Sequence, residues 1–257
     1  FGFIMQQMNN VRGWTLNKYF EVVNDIDLGE HYFESMGNYS SNVPLDYFAF
    51  SGYFNGGNYT LSNLKVYESF YFNGIFGTVN KNAVIENINI NSNINFEKEE
   101  FYLITFKNLG VIRNINVSGN ITCYDSIINS TTYNPNCSLI NENFGLIENV
   151  HSNVNIVYNS KDGNIGAKVA GIVLYNGDLN SVIRNCSFTG KITINCESNK
   201  NRTTAAGIAY SSLGLIENCY NTGTIYANGV AGIVALTIGA IKNCYNTGEL
   251  VGSNTLD

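Results

Sequence analysis

Cysteine is the residue type with the clearest chemical potential in this chain, because three of its six cysteines occupy one place in a repeated motif. GLIENCYNTGTI (214–225) and GAIKNCYNTGEL (239–250) put Cys219 and Cys244 directly after an asparagine, and VIRNCSF does the same for Cys186. Zinc needs four converging ligands, and the sequence offers these thiols no CxxC motif and no neighbouring histidine. We therefore predict no metal site and no cofactor, and interpret the three as core thiols that pack like small apolar side chains.

A second pair of cysteines, Cys123 and Cys137, brackets the polar insertion CYDSIINSTTYNPNC. A disulfide between them would close this loop, provided that the chain matures in an oxidising compartment. The sequence leaves the bridge and the pair of thiols open as alternatives. Cys196 has no evident partner in the sequence.

Carboxylate pairs are the other candidates for chemistry, because glycoside hydrolysis needs two carboxyl groups about 5–9.5 Å apart. Glu86, Glu148 and Glu217 occupy equivalent places in a repeat, but a basic residue separates each from the next. We interpret Asp25 and Asp27, in NDIDL, as structural, with calcium ligation as the alternative.

The remaining titratable residues form no recognisable catalytic set. EKEE (97–100) is interpreted as a solvated loop cluster, and His31 and His151 are far apart in sequence. His151 shares its place in the repeat with Tyr220 and Tyr245, and strand alternation predicts that all three face outward. Serine, histidine and aspartate do not recur together in a motif. We therefore predict that the chain is not an enzyme.

A repeat must position these residues, and its anchor is aliphatic-x-Asn followed by an apolar residue. Copies begin at intervals of 24 to 36 residues, and each consists of short strands with apolar residues at every second position. One copy cannot bury its own apolar face, so copies must stack strand upon parallel strand. The sequence thus predicts an all-β, single-stranded parallel β-helix of about seven or more coils, in one domain spanning 1–257. The copies are LSNL (61), IENI (85), IRNI (112), IENV (147), IRNC (183), IENC (216) and IKNC (241).

The third place of every copy is asparagine. This residue tolerates the left-handed backbone that a sharp bend between strands needs, and stacked amides can hydrogen-bond along a column. We predict an internal asparagine ladder; display of these amides to a repetitive ligand is the alternative. The ladder comprises Asn63, Asn87, Asn114, Asn149, Asn185, Asn218 and Asn243.

The residue before each ladder asparagine should face solvent, because side chains alternate along a strand. After the first copy these residues alternate in sign, which predicts a column of compensating surface charges. The column comprises Ser62, Glu86, Arg113, Glu148, Arg184, Glu217 and Lys242.

Charge and composition exclude several partners. The net charge is −6 and the 14 Lys and Arg residues are spread along the chain, so no nucleic-acid footprint is expected. The longest apolar run, 229–241, is too short to cross a bilayer as a helix, so we expect no membrane insertion. Among many Asn-x-Ser/Thr sequons, Asn129, Asn136 and Asn201 lie in insertions and are the expected N-glycosylation positions, whereas the ladder residue Asn185 should stay bare.

The first third of the chain resembles the first coils of extracellular right-handed β-helix proteins. The resemblance lies in YFEVVNDIDLG (19–29), FSGYFNGGNYTLSNLKV (50–66) and GIFGTVNKNAVIENINI (74–90), and the later GLIENCYNTG and GAIKNCYNTG look like the GLUG repeat of surface proteins and adhesins. It implies a right-handed helix and an extracellular or cell-surface location. Residues 1–15 are expected to cap the first coil with a short helix, and the start at Phe1 suggests a piece of a longer chain.

The expected function is therefore that of a non-enzymatic structural or adhesive module. Such a module would bind a glycan or a host or cell-surface protein, or would self-associate end to end. The alternative is a secreted polysaccharide-active enzyme, a lyase or glycoside hydrolase, with a site built by the insertions at 122–140, 158–168 and 195–204.

Overall fold

The structure is a computed structural model that describes residues 17–29, 32–33, 35–37, 49–66, 74–96, 100–124, 136–160, 166–196 and 203–252. Every regular element in these ranges is a β-strand, and the strands pair in parallel from coil to coil. The all-β parallel solenoid is thus confirmed, with about 5 turns instead of the seven or more predicted. The helix predicted in residues 1–15 lies outside the described residues. Within them, no helix is long and apolar enough to cross a membrane.

Short strands separated by bends build each turn. The first strands along the chain are β1 (Tyr19–Glu21), β2 (Ile26–Asp27), β3 (Tyr32–Phe33), β4 (Tyr53–Asn55), β5 (Thr60–Ser62), β6 (Lys65–Val66), β7 (Thr78–Val79), β8 (Val84–Phe96), β9 (Glu100–Asn108), β10 (Val111–Tyr124), β11 (Asn136–Asn143) and β12 (Leu146–Ser160). They are followed by β13 (Lys168–Ala170), β14 (Val173–Asn176), β15 (Val182–Arg184), β16 (Ser187–Phe188), β17 (Lys191–Cys196), β18 (Thr204–Ala206), β19 (Ala209–Ser212), β20 (Leu215–Glu217), β21 (Tyr220–Asn221), β22 (Thr224–Ala227), β23 (Gly229–Ala231), β24 (Val234–Thr237), β25 (Ile241–Lys242), β26 (Tyr245–Asn246) and β27 (Leu250–Gly252).

Two large sheets enclose the core. The first stacks β1, β4, β8, β10, β12, β15, β20 and β25 in that order, and two bends continue it onto further faces. Strands β8, β10 and β12 run through both bends, whereas later coils divide the same path into three short strands, such as β15, β16 and β17. The second sheet contains β7, β9, β11, β13, β14, β18, β19, β23 and β24, and β3 pairs with β6 in a small third sheet.

Asparagine makes the first bend in every coil from 87 onward. The φ angles of Asn87, Asn149 and Asn243 are 59°, 53° and 50°, in the left-handed region that asparagine tolerates better than most residues. The side chains also hydrogen-bond along the column: Asn114 Nδ2 donates to Asn87 Oδ1 at 3.0 Å, and Asn149 Nδ2 donates to Asn114 Oδ1 at 2.9 Å. We call this column the surface ladder, and it comprises Asn87, Asn114, Asn149, Asn185, Asn218 and Asn243.

Two details of the ladder prediction were wrong. The column is not internal, because its side chains are exposed or half-buried. At a left-handed bend the side chain leaves the regular strand alternation and projects outward. Asn63 is not part of the column either, because its neighbour Ser62 pairs with Asn91 and its own Nδ2 donates to Asp27 Oδ1 at 2.9 Å. The column therefore begins at Asn87, whose Nδ2 donates at 3.0 Å to Asn55 Oδ1 in the next coil down.

Glycine makes the second bend in four coils, at Gly119, Gly190, Gly223 and Gly248, where the backbone of the coil below approaches too closely for a side chain; Ser92 and Val154 hold the equivalent place in β8 and β12. A methyl group on Gly190 would collide with the carbonyl of Val154, and one on Gly223 would collide with the carbonyl of Gly190. Gly119 in addition has a φ of +113°, which L-residues rarely adopt.

The interior is a stack of aliphatic side chains from the anchors. Ile85, Ile112, Ile147, Ile183 and Ile216 lie above one another and are fully buried. Each contributes roughly 1.5–3 kcal/mol of hydrophobic stabilisation relative to an exposed side chain.

The three repeated cysteines follow the ladder asparagines, as the sequence indicated. Cys186 and Cys219 are fully buried in the core, and Cys244 is partly buried in the last coil. Each thiol lies near the carbonyl two residues earlier: Cys186 Sγ is 3.1 Å from Arg184 O, and Cys219 Sγ is 3.2 Å from Glu217 O. The interpretation of these positions as apolar core is confirmed for Cys186 and Cys219.

The charge column differs from the prediction at its lower end: Asn55 and not Ser62 lies below Glu86, and Glu86 itself is buried instead of facing solvent. From Glu86 upward the alternation of charge is confirmed. Arg113 Nε lies 2.5 Å from Glu86 Oε2, and Arg184 Nε lies 2.7 Å from a Glu148 carboxylate oxygen. The strand register stacks Glu86, Arg113, Glu148, Arg184, Glu217 and Lys242 in this order.

A second polar column, which the sequence analysis missed, lies inside the solenoid where the second sheet turns back to the first. Asn108 Nδ2 donates to Asn143 Oδ1 at 2.8 Å, Asn143 Nδ2 to Asn176 Oδ1 at 2.8 Å, and Asn176 Nδ2 to Ser212 Oγ at 3.0 Å. All four side chains are buried. We call Asn108, Asn143, Asn176 and Ser212 the inner polar column; it satisfies backbone groups at the turn, such as Gly145 N–H.

Candidate functional site

A shallow groove of about 560 Å³ runs up the face between the two bends, across several coils. Its central column comprises the outward residues two places after the ladder asparagines. The strand register stacks them coil upon coil. We call this surface the polar groove and define it by Asn89, Asn116, His151, Ser187 and Tyr220.

The fold creates this concave surface from local sequence features. The surface ladder bends the chain on one side of the face and the glycine-containing bend turns it on the other, so the strand between them is the floor of a channel. Ile90, Val117 and Ser152 lie between outward residues on this floor. A second polar row, which includes Asn91, Ser118, Asn153 and Thr189, borders the central column.

Amide groups line the lower half of the polar groove. Asn116 Nδ2 donates to Asn89 Oδ1 at 2.9 Å, and Asn89 Nδ2 donates to the carbonyl of Asn58 at 2.6 Å. Each amide has two donor hydrogens and an oxygen with two acceptor positions, so this ladder keeps polar capacity for a ligand. The repeat along the groove follows the spacing of strands, about 4.8 Å.

The upper half changes from amides to an imidazole, a hydroxyl and aromatic rings. His151 Nδ1 lies 2.8 Å from Ser187 Oγ, across neighbouring coils. Above them the rings of Tyr220 and Tyr245 stack with centroids 5.3 Å apart and planes 7° apart. Tyr245 is well exposed, so the stack presents an aromatic surface at the end of the groove.

The His151–Ser187 contact does not have the features of a nucleophilic pair. Ser187 is only 1% exposed, so its hydroxyl is not accessible to a substrate carbonyl. Among the described residues that line the groove there is no carboxylate to orient the imidazole. Burial lowers the pKa of His151, so the ring is neutral at pH 7 and functions here as a hydrogen-bonding group.

The acidic residues singled out in the sequence lie elsewhere. Glu86 and Glu148 are engaged by arginines in the charge column. Asp25 Oδ1 accepts from Thr60 N–H at 2.8 Å, and hydrogen bonds from Asn63 and Gly29 lower the pKa of Asp27. These contacts support the structural interpretation of the two aspartates. In the described part of the chain, no three His, Cys, Asp or Glu residues cluster as a metal site would require.

A smaller groove of about 410 Å³ lies on the next face, beyond the glycine-containing bend. Lys191 Nζ lies 4.9 Å from the ring centroid of Tyr226, whose hydroxyl donates to Glu249 Oε2 at 3.2 Å. The described lining of this groove also lacks a carboxylate. A single lysine on a tyrosine ring is a cation–π contact, which stabilises the surface.

The glycosylation candidates have a mixed outcome. Asn129 and Asn201 lie outside the described residues. Asn136 is 5% exposed and its Nδ2 donates to Glu100 Oε1 at 3.3 Å, which contradicts the expectation of a glycan there. Asn185 is exposed, so the reason given for leaving it bare was wrong.

The sequence had already placed His151, Tyr220 and Tyr245 in one outward column. It missed the pairing of His151 with Ser187 and the amide row beneath them. The missed signal is the residue two places after each ladder asparagine, which is polar or aromatic in all six copies of the repeat from Asn89 to Tyr245.

Comparison with known proteins supports the fold but not a specific activity. No family model and no curated protein matches the chain. A crystal structure named as that of a "putative immunoglobulin A1 protease" from Bacteroides ovatus is similar, with a TM-score of 0.55 and 15% sequence identity. The match covers 98% of this chain and 76% of that one. At this identity the similarity shows a shared β-solenoid architecture.

Proposed function

We propose that this chain is a non-enzymatic extracellular binding module whose polar groove holds a linear, neutral glycan. The observation that carries the proposal is the lining of the groove, which consists of amides, hydroxyls and the ring of Tyr220, itself stacked on Tyr245 in the next coil. Among the described lining residues, His151 is the one titratable side chain other than tyrosine. Sugar hydroxyls pair with amides through hydrogen bonds, and the apolar faces of sugar rings pack on aromatic rings.

The charge of the groove favours a neutral polymer over an acidic one. A uronate polymer would need cations along its length, whereas the described lining has no lysine or arginine and holds a neutral His151 at pH 7. The repeat of the lining with each strand, about 4.8 Å, suits an extended chain that binds through many weak contacts.

The resemblance to GLUG-type repeats supports the finer assignment to adhesin-like surface proteins. That assignment includes a location outside the cell and a protein-linked or cell-surface glycan as the partner. The rigid stack of coils suits this role, because a preformed surface loses little conformational entropy on binding.

Self-association is a second candidate, supported by the last coil. Leu236, Ile238 and Ile241 are 56%, 83% and 44% exposed there, and β25, β26 and β27 have no further strand above them in the described residues. An edge of this kind accepts another coil, from a second copy or from the same polypeptide.

An enzyme remains the alternative, and one observation favours it. Strands β8, β10, β12 and β17 all end, and β9, β11, β13 and β18 begin, at the same corner, where the first sheet ends and the second begins; the predicted insertions fall between these strands in sequence. A polysaccharide lyase or hydrolase would build its site from these insertions.

The deciding experiment measures binding and turnover together. We expect purified chain to bind chito-oligosaccharides more tightly than oligogalacturonates, without releasing products. Tyr220→Ala should weaken binding about tenfold through lost ring packing, and Tyr226→Ala, on the next face, is the matched control. Equal losses in both variants would contradict the groove, and release of cleaved sugar would overturn the non-enzymatic proposal.

A further inference from the structure

The corner where strands of the first sheet end and strands of the second begin contains a column of paired core side chains. One member of each pair ends a strand of the first sheet and the other begins a strand of the second. In the coil of β8 and β9 the pair is Phe96 and Phe101, whose ring centroids are 5.1 Å apart. In the coil of β10 and β11 it is Cys123 and Cys137, which the strand register stacks on Phe96 and Phe101 respectively.

The two cysteines face each other inside this corner. Their sulfur atoms are 3.1 Å apart, about 1 Å longer than the bond of a disulfide. Both side chains are 0% exposed. Phe101 and Val169 flank Cys137 in the register, and Phe96 and Tyr158 flank Cys123, so the surroundings are apolar.

The cysteines of the core column provide an internal contrast. Cys186, Cys219 and Cys244 occupy one register, but each Sγ lies 3.1–3.2 Å from the carbonyl two residues earlier, at the end of the preceding strand. Along the column a backbone N–H also approaches the next sulfur, at 3.4 Å for Cys186 N to Cys219 Sγ, and the Cys219 thiol interacts with the side chains of Cys186 and Cys244. Each of these three thiols thus has a backbone carbonyl as a partner, whereas the thiol of Cys123 donates to Cys137 Sγ.

We propose that Cys123 and Cys137 form a disulfide that closes the insertion between β10 and β11. In the reaction the two thiols lose two protons and two electrons, one S–S bond forms, and a disulfide oxidant such as oxidised glutathione is reduced to two thiols. The bridge joins the first sheet to the second at the corner where the neighbouring coil of β8 and β9 has the ring contact of Phe96 and Phe101. The proposal is independent of what the polar groove binds.

The buried position determines when the bond must form. Burial raises the pKa of Cys123, and the neighbouring Cys137 raises it further, so little thiolate is present in the folded protein. The thiolate is the nucleophile of disulfide exchange, so oxidation takes place while the corner is still open during folding. Once the protein is folded, the buried bond is also inaccessible to reductants in solution.

The test counts thiols in the purified chain after refolding with reduced and oxidised glutathione. Denaturation in iodoacetamide without reductant should modify four of the six cysteines, and peptide mapping should recover one cross-linked peptide that contains Cys123 and Cys137. Modification of all six cysteines would overturn the proposal, as would a cross-link that involves Cys186, Cys219 or Cys244. Neither outcome requires a variant that folds.

A matched pair of variants tests the stabilising effect. Reduction before refolding should lower the melting temperature of the wild-type chain by about 5–10 °C, because closing a loop of this length restricts the unfolded state. Cys186→Ala also deletes one buried thiol but should keep the full difference between oxidised and reduced protein. Cys123→Ala should abolish it. An equal difference in both variants would contradict the bridge.

Discussion

The surface ladder and the inner polar column both stack polar side chains from coil to coil, but they stabilise the solenoid by different means. The surface ladder uses asparagine alone, and its members are exposed or half-buried. The inner polar column mixes asparagine with serine, and its members are buried. In the surface ladder the residue type is determined by the backbone conformation. In the inner polar column it is determined by the need to satisfy buried hydrogen-bonding groups.

This difference explains why one column is strict in sequence and the other is not. A left-handed φ near 55° narrows the choice to asparagine, glycine and few others. A buried acceptor or donor is satisfied by any side chain of suitable reach, and Ser212 accepts from Asn176 as an amide would. Substitutions should therefore separate the two columns clearly.

The largest effect is expected at Asn143, in the middle of the inner polar column. Its Oδ1 accepts from Asn108 Nδ2 and Gly145 N–H, and its Nδ2 donates to Asn176 Oδ1. Asn143→Ala leaves these buried groups unsatisfied, which should lower the free energy of unfolding by about 3 kcal/mol or more. Urea denaturation measures the loss. A smaller loss than that caused by Asn149→Ala, in the surface ladder, would contradict the greater importance of the buried column.

The stability of variants at Asn149, in the surface ladder, should depend on how well the new residue tolerates a left-handed backbone. Asn149→Ala forces an L-residue with no local hydrogen bond to keep a φ of 53°, at a cost of about 1–2 kcal/mol. Asn149→Gly retains the conformation and should lose less than half of that. At position 143, by contrast, glycine should be no less destabilising than alanine. Equal destabilisation by alanine and glycine at 149 would refute the backbone explanation.

Glu86, beside the surface ladder, makes this side of the solenoid sensitive to pH. Burial alone raises the pKa of Glu86, but hydrogen bonds from Tyr53 and Arg113 outweigh it and leave the pKa below the ordinary 4.5. A lowered pKa in the folded state contributes stability that is complete above pH 4.5 and is lost as pH falls through the folded value. The destabilisation by Glu86→Gln should thus shrink between pH 7 and pH 3, whereas that of Asn143→Ala should stay constant.

The smallest effect is expected for the charge column. Arg184→Glu removes the pair with Glu148 and places like charges next to Glu217, which should cost about 0.2–1 kcal/mol and less at high salt. Lys81→Glu, at an exposed position, is the control. Thermal melting in low and high salt compares them, and equal effects at both positions would show that the column adds no stability.

Much of the fold could be predicted because equivalent positions in successive stacked coils carry similar residues, which makes the repeat visible in the sequence. The aliphatic-x-Asn anchor placed every coil from Ile85 to Ile241 correctly. The first coil failed because its true anchor is aromatic: Phe54 pairs with Ile85, and LSNL belongs to the face beyond the bend. The inner polar column was missed because hydrogen-bonding ability, and not one residue type, is what its positions share.

The candidate site was predictable only as a column. Strand alternation placed His151 and Tyr220 on the outside. The contact between His151 and Ser187 could not be predicted in the same way, because the two residues are 36 positions apart in sequence and this separation depends on the length of an insertion. Whether Ser187 is accessible depends on packing between coils, which no local pattern records. The same limit applies to Cys123 and Cys137, whose sequence positions bracket a loop but do not reveal that their sulfur atoms meet.

The twin stretches 214–225 and 239–250 show how such a molecule can change over generations. Asn218 and Asn243 are 25 residues apart and hydrogen-bonded at 3.2 Å, so a gene segment of this length encodes one complete coil. Unequal recombination between the two copies would insert or delete whole coils while leaving every other column intact. Each such event would change the length of the solenoid by one strand spacing, about 4.8 Å.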